Sequence, residues 1–118
     1  MSLFKPLLSI CIPTFNRSKS LENCLFSIKK ANDFYKSIDN KEKISYEICI
    51  SDNGSNDETE RVILKYKEIL PIVYSSNSYN LGFTKNYLKV ISLSKGEYIW
   101  VIGDDDLLLY DSIKRLIE

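Results

Sequence analysis

The chain has 118 residues, 44% of them apolar, which is enough for one hydrophobic core and one domain. Its 16 Lys and Arg balance its 16 Asp and Glu, so no surplus positive charge draws it to nucleic acid or to an anionic membrane. Histidine is absent, which removes Ser-His and Cys-His nucleophile pairs and leaves oxygen ligands, and with them Mg²⁺ or Mn²⁺, as the chemistry of any metal site.

No apolar run approaches the roughly 20 residues that span a bilayer, and no leader-like segment opens the chain, so a soluble, cytoplasmic domain is expected. Met1, Ser2 and Leu3 precede the first recognisable element and read as a start appended to it. Cys11, Cys24 and Cys49 lack the close spacing of a zinc or redox motif and read as buried, reduced thiols.

In chain order, Leu7 to Ile12 is a nearly continuous apolar run ended by Pro13, as expected of a strand covered on both faces. Leu21, Cys24, Leu25, Ile28 and Ala31 recur at helical spacing, with Ser20 as the expected N-cap. A polar connection leads to a second strand over Tyr46 to Ser51. Asp57 with Glu60 three residues on predicts a capping box for the next helix, which Pro71 ends. Ile72 to Tyr74 begins a third strand, and a Ser- and Asn-rich turn leads to a helix whose apolar residues are Tyr87, Leu88 and Ile91. Gly96 falls where a left-handed C-cap is expected, and Tyr98 to Ile102, with Trp100 in the core, forms a fourth strand. A last helical pattern opens at Asp111, read as its cap, and runs about two turns to Glu118, so the chain reads as a fragment. Alternating strands and helices predict an α/β fold, a Rossmann-like parallel sheet with helices on both faces.

Ligands of an open parallel sheet bind outside the carboxyl ends of its strands. The segments expected there are Pro13 to Arg17, Asp52 to Asp57, Ser76 to Gly82 and Gly103 to Asp106, all polar. Glycine is absent from residues 1 to 53, so no Gly-rich loop of the dinucleotide or P-loop kind follows the first strand. A diphosphate bound here needs another counter-charge, and a divalent cation on the clustered Asp104, Asp105 and Asp106 would supply it. Asp52 serves equally as a turn residue or a ligand contact, Gly82 as a source of positive φ, and Arg17 as a solvated charge.

Taken together, LSICIPTFNR, EICISDNGSNDET, NLGFTKNYL and GEYIWVIGDDDLLLYDSI resemble the successive N-terminal motifs of family-2 glycosyltransferases of the GT-A fold, across residues 7 to 115. The resemblance implies one partial domain, residues 1 to 118, the truncated N-terminal half that binds a nucleotide-sugar donor, a UDP-sugar above others. It places Pro13, Thr14 and Asn16 against the nucleotide and makes Asp52 the acceptor for a base ring N–H. Asn80 and Gly82 border the base and diphosphate with Lys85, which stands where many relatives carry Arg. Gly103 occupies the first position of the family's Asp-x-Asp pattern, so Asp104 meets the ribose and the Mn²⁺ or Mg²⁺ falls to Asp105 and Asp106, with Asp106 also supporting the turn.

The resemblance further implies inverting transfer to a glycan or lipid-linked acceptor in polysaccharide synthesis. The general base would lie in a second half that this chain lacks, and the full-length protein would work at the inner face of the membrane. The edge of the fourth strand, left unpaired by truncation, is expected to favour self-association. The competing readings are a nucleotidyltransferase-like fold, which wants a Gly- and Arg/Lys-rich loop after the first strand, a receiver-type signalling domain, which wants an acidic pair there, and a module that only binds nucleotide.

Overall fold

The computed structural model describes residues 5–38 and 45–117. The expected appended start and the middle of the first polar connection lie outside the described residues. Four strands and four helices alternate: β1 (Leu8–Thr14), α1 (Ser18–Ser37), β2 (Tyr46–Asp52), α2 (Thr59–Lys67), β3 (Ile72–Ser76), α3 (Phe83–Leu93), β4 (Tyr98–Val101) and α4 (Ser112–Ile117). The sheet is parallel throughout, in the order β3-β2-β1-β4, with β1 and β2 central.

Strand alternation divides the core in two. Leu8, Ile10 and Ile12 of β1 and Ile48 and Ile50 of β2 point to the face covered by α1 and α2, where Leu21, Leu25, Ile28 and Ile63 complete the larger cluster. Cys11 and Cys49, register partners on β1 and β2, point the other way and pack with Val90 of α3. Helices therefore cover both faces, as the strand-helix alternation predicts. All three cysteines are free and buried. Trp100 is half-buried against the larger cluster.

Several local expectations are corrected. Helix α1 begins at Ser18, ahead of Ser20, and its first free N–H is capped from another loop: Ser18 N donates to Asp57 Oδ2 at 3.2 Å. The same carboxylate takes Thr59 N–H at 2.9 Å, so Asp57 caps both α1 and α2. The expected capping box is displaced, because Glu58 rather than Asp57 directly precedes α2 and Asp57 bonds Thr59 instead of Glu60. Gly96 is not a left-handed cap, because positive φ among glycines is confined to Gly54 and Gly82, and α3 already ends at Leu93. Gly96 instead lets the start of β4 press onto β1, where an added Cβ would lie 2.5 Å from Ser9 Oγ and 2.7 Å from Ser9 N. The buried stripe of α3 is Asn86 and Val90, whereas Leu88 is exposed. Asp111 precedes α4 as expected, but its carboxylate accepts from Arg115 Nε at 2.9 Å while its backbone carbonyl takes Arg115 N–H.

Candidate functional site

The carboxyl ends of all four strands open onto one cleft of about 640 Å³. Pro13, Thr14, Phe15 and Arg17 form the wall after β1, and Asn53, just after β2, also lines the cleft. Asn80, Phe83, Asn86 and Tyr87 form the wall on the α3 side, and Val101 to Asp105 close the floor after β4. Of the ten residues assigned from sequence to the nucleotide or the metal, five share the cleft: Pro13, Thr14, Asn80, Asp104 and Asp105.

Asp104 is the buried charge of this site, 8% exposed. Its Oδ2 accepts from Thr14 Oγ1 at 2.8 Å, and its Oδ1 lies 3.9 Å from Arg17 Nη1. Burial raises its carboxyl above the ordinary value, with the Thr14 hydroxyl and Arg17 pulling the other way. The same Arg17 nitrogen lies 3.6 Å from Asp105 Oδ2, whose side chain is 62% exposed at the rim. Arg17 is thus not merely a solvated charge: it stands between the two carboxylates. Asp106 Oδ2 accepts the Gly103 N–H at 2.7 Å and so closes the turn. Beneath it, burial and then the charges of Asp106, Asp104 and Asp105 push the Cys24 thiol up to about 12. Among the described residues no three acidic or thiol side chains converge to hold a metal ion by themselves.

The other sequence-derived residues lie behind or beside the cleft. Asp52 is 2% exposed, and its Oδ1 accepts Ser55 N–H at 3.0 Å. Asn16 sits at φ 49° and ties two loops together, accepting Asn56 N–H on Oδ1 while its own N–H goes to Ser55 Oγ. Gly82, at φ 92°, is the residue before α3, and Lys85 is exposed on that helix's first turn; neither lines the cleft.

Sequence reasoning missed a buried amide network. Asn53 Oδ1 accepts from Asn77 Nδ2 at 3.0 Å and from Leu81 N at 2.9 Å, while Asn53 Nδ2 donates to Asn80 Oδ1 at 2.9 Å and Gly82 O at 3.3 Å. Asn77 Nδ2 also donates to Asn86 Oδ1, which accepts from Ser51 Oγ as well. Asn77, Asn86 and Asn53 are nearly fully buried. The legible signal was the density of Asn between residues 53 and 86, since buried amides persist only when their donors and acceptors are matched.

Residues 9–118 match the sequence model of Glycosyl transferase family 2. The chain belongs to this family. Among curated relatives of the family-2 chain, the abequosyltransferase RfbV of Salmonella typhimurium is 44% identical over 93% of this chain and 31% of its own length. The GalNAc(5)-diNAcBac-PP-undecaprenol beta-1,3-glucosyltransferase of Campylobacter jejuni is 32% identical over 96% of this chain and 34% of its own length. The family-2 chain thus spans about a third of the length of these relatives. Its fold is that of GT-A glycosyltransferases: residues 1-349 of S. aureus TarS, solved in complex with UDP-GlcNAc, superpose with a TM-score of 0.78 at 23% identity, over 93% of this chain and 30% of that fragment. The mannosyltransferase PcManGT of Pyrobaculum calidifontis, solved with GDP-Man and Mn²⁺, gives 0.72 at 18% identity, over 98% of this chain and 34% of that one. No helix among the described residues is long and apolar enough to cross a membrane.

Proposed function

We propose that residues 1 to 118 form the donor-binding part of a family-2 glycosyltransferase, and that the cleft takes a nucleoside-diphosphate sugar, UDP-sugars above others. The observation that carries this reading is Asp104, a carboxylate buried at the cleft floor and fixed on one oxygen by Thr14. A charge held there at the cost of desolvation suits an acceptor for ribose hydroxyls. Pro13 and Thr14 face the nucleotide and Asn80 borders its base, while Asn16, Gly82 and Lys85, which the family resemblance also assigns to the nucleotide, lie outside the cleft lining and would act by holding its loops or from its rim.

Mn²⁺ or Mg²⁺ fits the donor set: these ions take one or two carboxylates, with water and substrate phosphate completing the shell. Asp105, exposed at the rim, would hold the ion, and Asp106 would add to the acidic field. When bound, the ion would neutralise charge that grows on the departing diphosphate. Arg17 lines the same cleft and contributes a second positive charge.

Asp52 lies behind the cleft lining with Oδ1 held by Ser55 N–H, so a base would have to reach past the wall to meet it. Acceptor-only when ionised, it would then select bases with a ring N–H donor, which uracil and guanine have and cytosine and adenine lack. Transfer itself would be inverting, onto a glycan or lipid-linked acceptor, with the general base outside residues 1 to 118. The undecaprenol-linked substrate named for the Campylobacter relative supports a lipid-linked acceptor; with such an acceptor, the full-length enzyme would build polysaccharide at the cytoplasmic face of a membrane. Calorimetry with UDP, CDP, GDP and ADP, with Mn²⁺ and with EDTA, is the test. UDP binding that requires the ion, and that beats CDP and ADP, is expected; equal binding of all four would overturn the base role of Asp52, and indifference to EDTA would overturn the metal.

A further inference from the structure

The amide network around Asn53 has a polarity that two backbone groups impose. Leu81 N–H can only donate, so the side-chain atom it meets at 2.9 Å must be the oxygen of Asn53, and Asn53 therefore turns its NH₂ toward Asn80. Gly82 N–H likewise meets Asn80 Oδ1 at 2.7 Å. The carbonyl of Asn80 is thus gripped by two donors, Asn53 Nδ2 and Gly82 N, and its NH₂ is the end left for the cleft that Asn80 lines. The two loops cannot drift apart without breaking these bonds, and Gly54 lets them close: a Cβ there would lie 2.8 Å from the Tyr79 carbonyl carbon.

We propose that Asn53 is a positioning residue that sets the hydrogen-bonding sense of this rim, holding Asn80 as a donor toward an acceptor on the nucleotide base. The inference rests on the donor-binding reading above. A donor there complements the carbonyl at position 4 of uracil and opposes the amino group at the same position of cytosine. Asn53 does not touch the ligand in this scheme. A carboxylate in its place would still accept from Leu81 N and Asn77, but would face the Asn80 carbonyl with a second acceptor, forcing that amide to turn or withdraw.

The test is calorimetry of this chain with UDP and with CDP, each with Mn²⁺, for the wild type, Asn53→Asp, Asn80→Asp and Asn77→Ala. Asn53→Asp should lower the UDP-to-CDP affinity ratio roughly tenfold, the scale of one mismatched buried polar contact. Asn80→Asp keeps an oxygen for both gripping donors and presents an acceptor to the cleft, so it should lower the ratio as well, and it decides the matter if Asn53→Asp does not fold. Asn77→Ala loosens the network without touching the Asn53–Asn80 bond and should leave the ratio unchanged. A ratio unmoved in a folded Asn53→Asp, unmoved in Asn80→Asp, or moved as far by Asn77→Ala, overturns the role of Asn53 while the donor-binding reading stands. A wild type that binds neither nucleotide overturns that reading instead.

Discussion

Thr14 Oγ1 donates to Asp104 Oδ2 at 2.8 Å across 90 residues of sequence, joining the ends of β1 and β4 just beyond their backbone pairing. The bond seats a carboxylate that burial keeps reluctant to ionise. A carboxyl with a raised folded pKa adds stability that is present below its unfolded pKa and is lost as pH rises through the folded value. The ligand-free chain should therefore gain from this group as pH falls toward about 4. Asp104→Asn, which removes the charge, should raise Tm at pH 7 and weaken UDP binding by roughly tenfold or more. Thermal melts and calorimetry on one preparation read both effects, and a variant that lost stability together with binding would contradict this account.

Asp105 is the contrasting case, because its side chain is 62% exposed and Arg17 Nη1 lies only within ion-pair reach of it, at 3.6 Å. Asp105→Ala should change stability by no more than about 0.5 kcal/mol. It should abolish the dependence of UDP binding on Mn²⁺, as measured by titration with and without EDTA.

Asp57 caps two helices at once, so Asp57→Ala should cost about 1–2 kcal/mol in urea denaturation at pH 7. Its burial works against ionisation, but hydrogen bonds from Thr59 and Ser18 outweigh it and hold the carboxyl below its usual value. Stability from a depressed carboxyl is present above the unfolded pKa and lost as pH falls through the folded one. The gap between wild type and variant should accordingly shrink once the pH drops below about 4.

Gly96→Ala places a methyl group against the Ser9 backbone, which cannot move without disturbing the β1–β4 pairing. A loss of about 1–3 kcal/mol is expected from overpacking, together with weaker UDP binding, because β4 carries Asp104 to its seat. Circular dichroism melts would detect the first and calorimetry the second.

With the general base proposed to lie elsewhere, this chain should bind a UDP-sugar without transferring the sugar above background. The exposed Tyr98 and Ile99 on edge strand β4 should favour self-association, visible as a concentration-dependent mass in sedimentation. Turnover by well-washed chain with an added acceptor would mean that a base lies within residues 1 to 118.

Much of this architecture was legible in the sequence, because apolar runs such as Leu8 to Ile12 and the stripe Leu21, Cys24, Leu25, Ile28 report burial directly. The strand order puts the acidic turn and Pro13 to Arg17 on one edge, which also follows from alternation alone. What sequence could not convey was side-chain pairing between loops. The capping of α1 by Asp57 joins positions 39 residues apart, and Gly96 meets Ser9 across 87. Leu88 misled for a different reason: α3 buries the polar Asn86 beside Val90, so its inner stripe is not its most apolar one. The Asn53 network was legible only as a density of Asn between residues 53 and 86, since the pairing of each amide is explained only by the partner it meets in space.

The cleft floor lies over the β1–β4 pairing, which joins Leu8 to Tyr98 and is the shortest ladder of the sheet. Contacts so distant along the chain are slow to form, because loop closure precedes any reward from them. A nucleotide touching both Thr14 and Asp104 would act as a clasp on that pairing, stabilising the closed sheet by mass action, with a gain that grows as the logarithm of its concentration over its dissociation constant. Amide hydrogens of β4 should then exchange more slowly with UDP present, while those of β2, held on both sides by neighbouring strands, should be little altered.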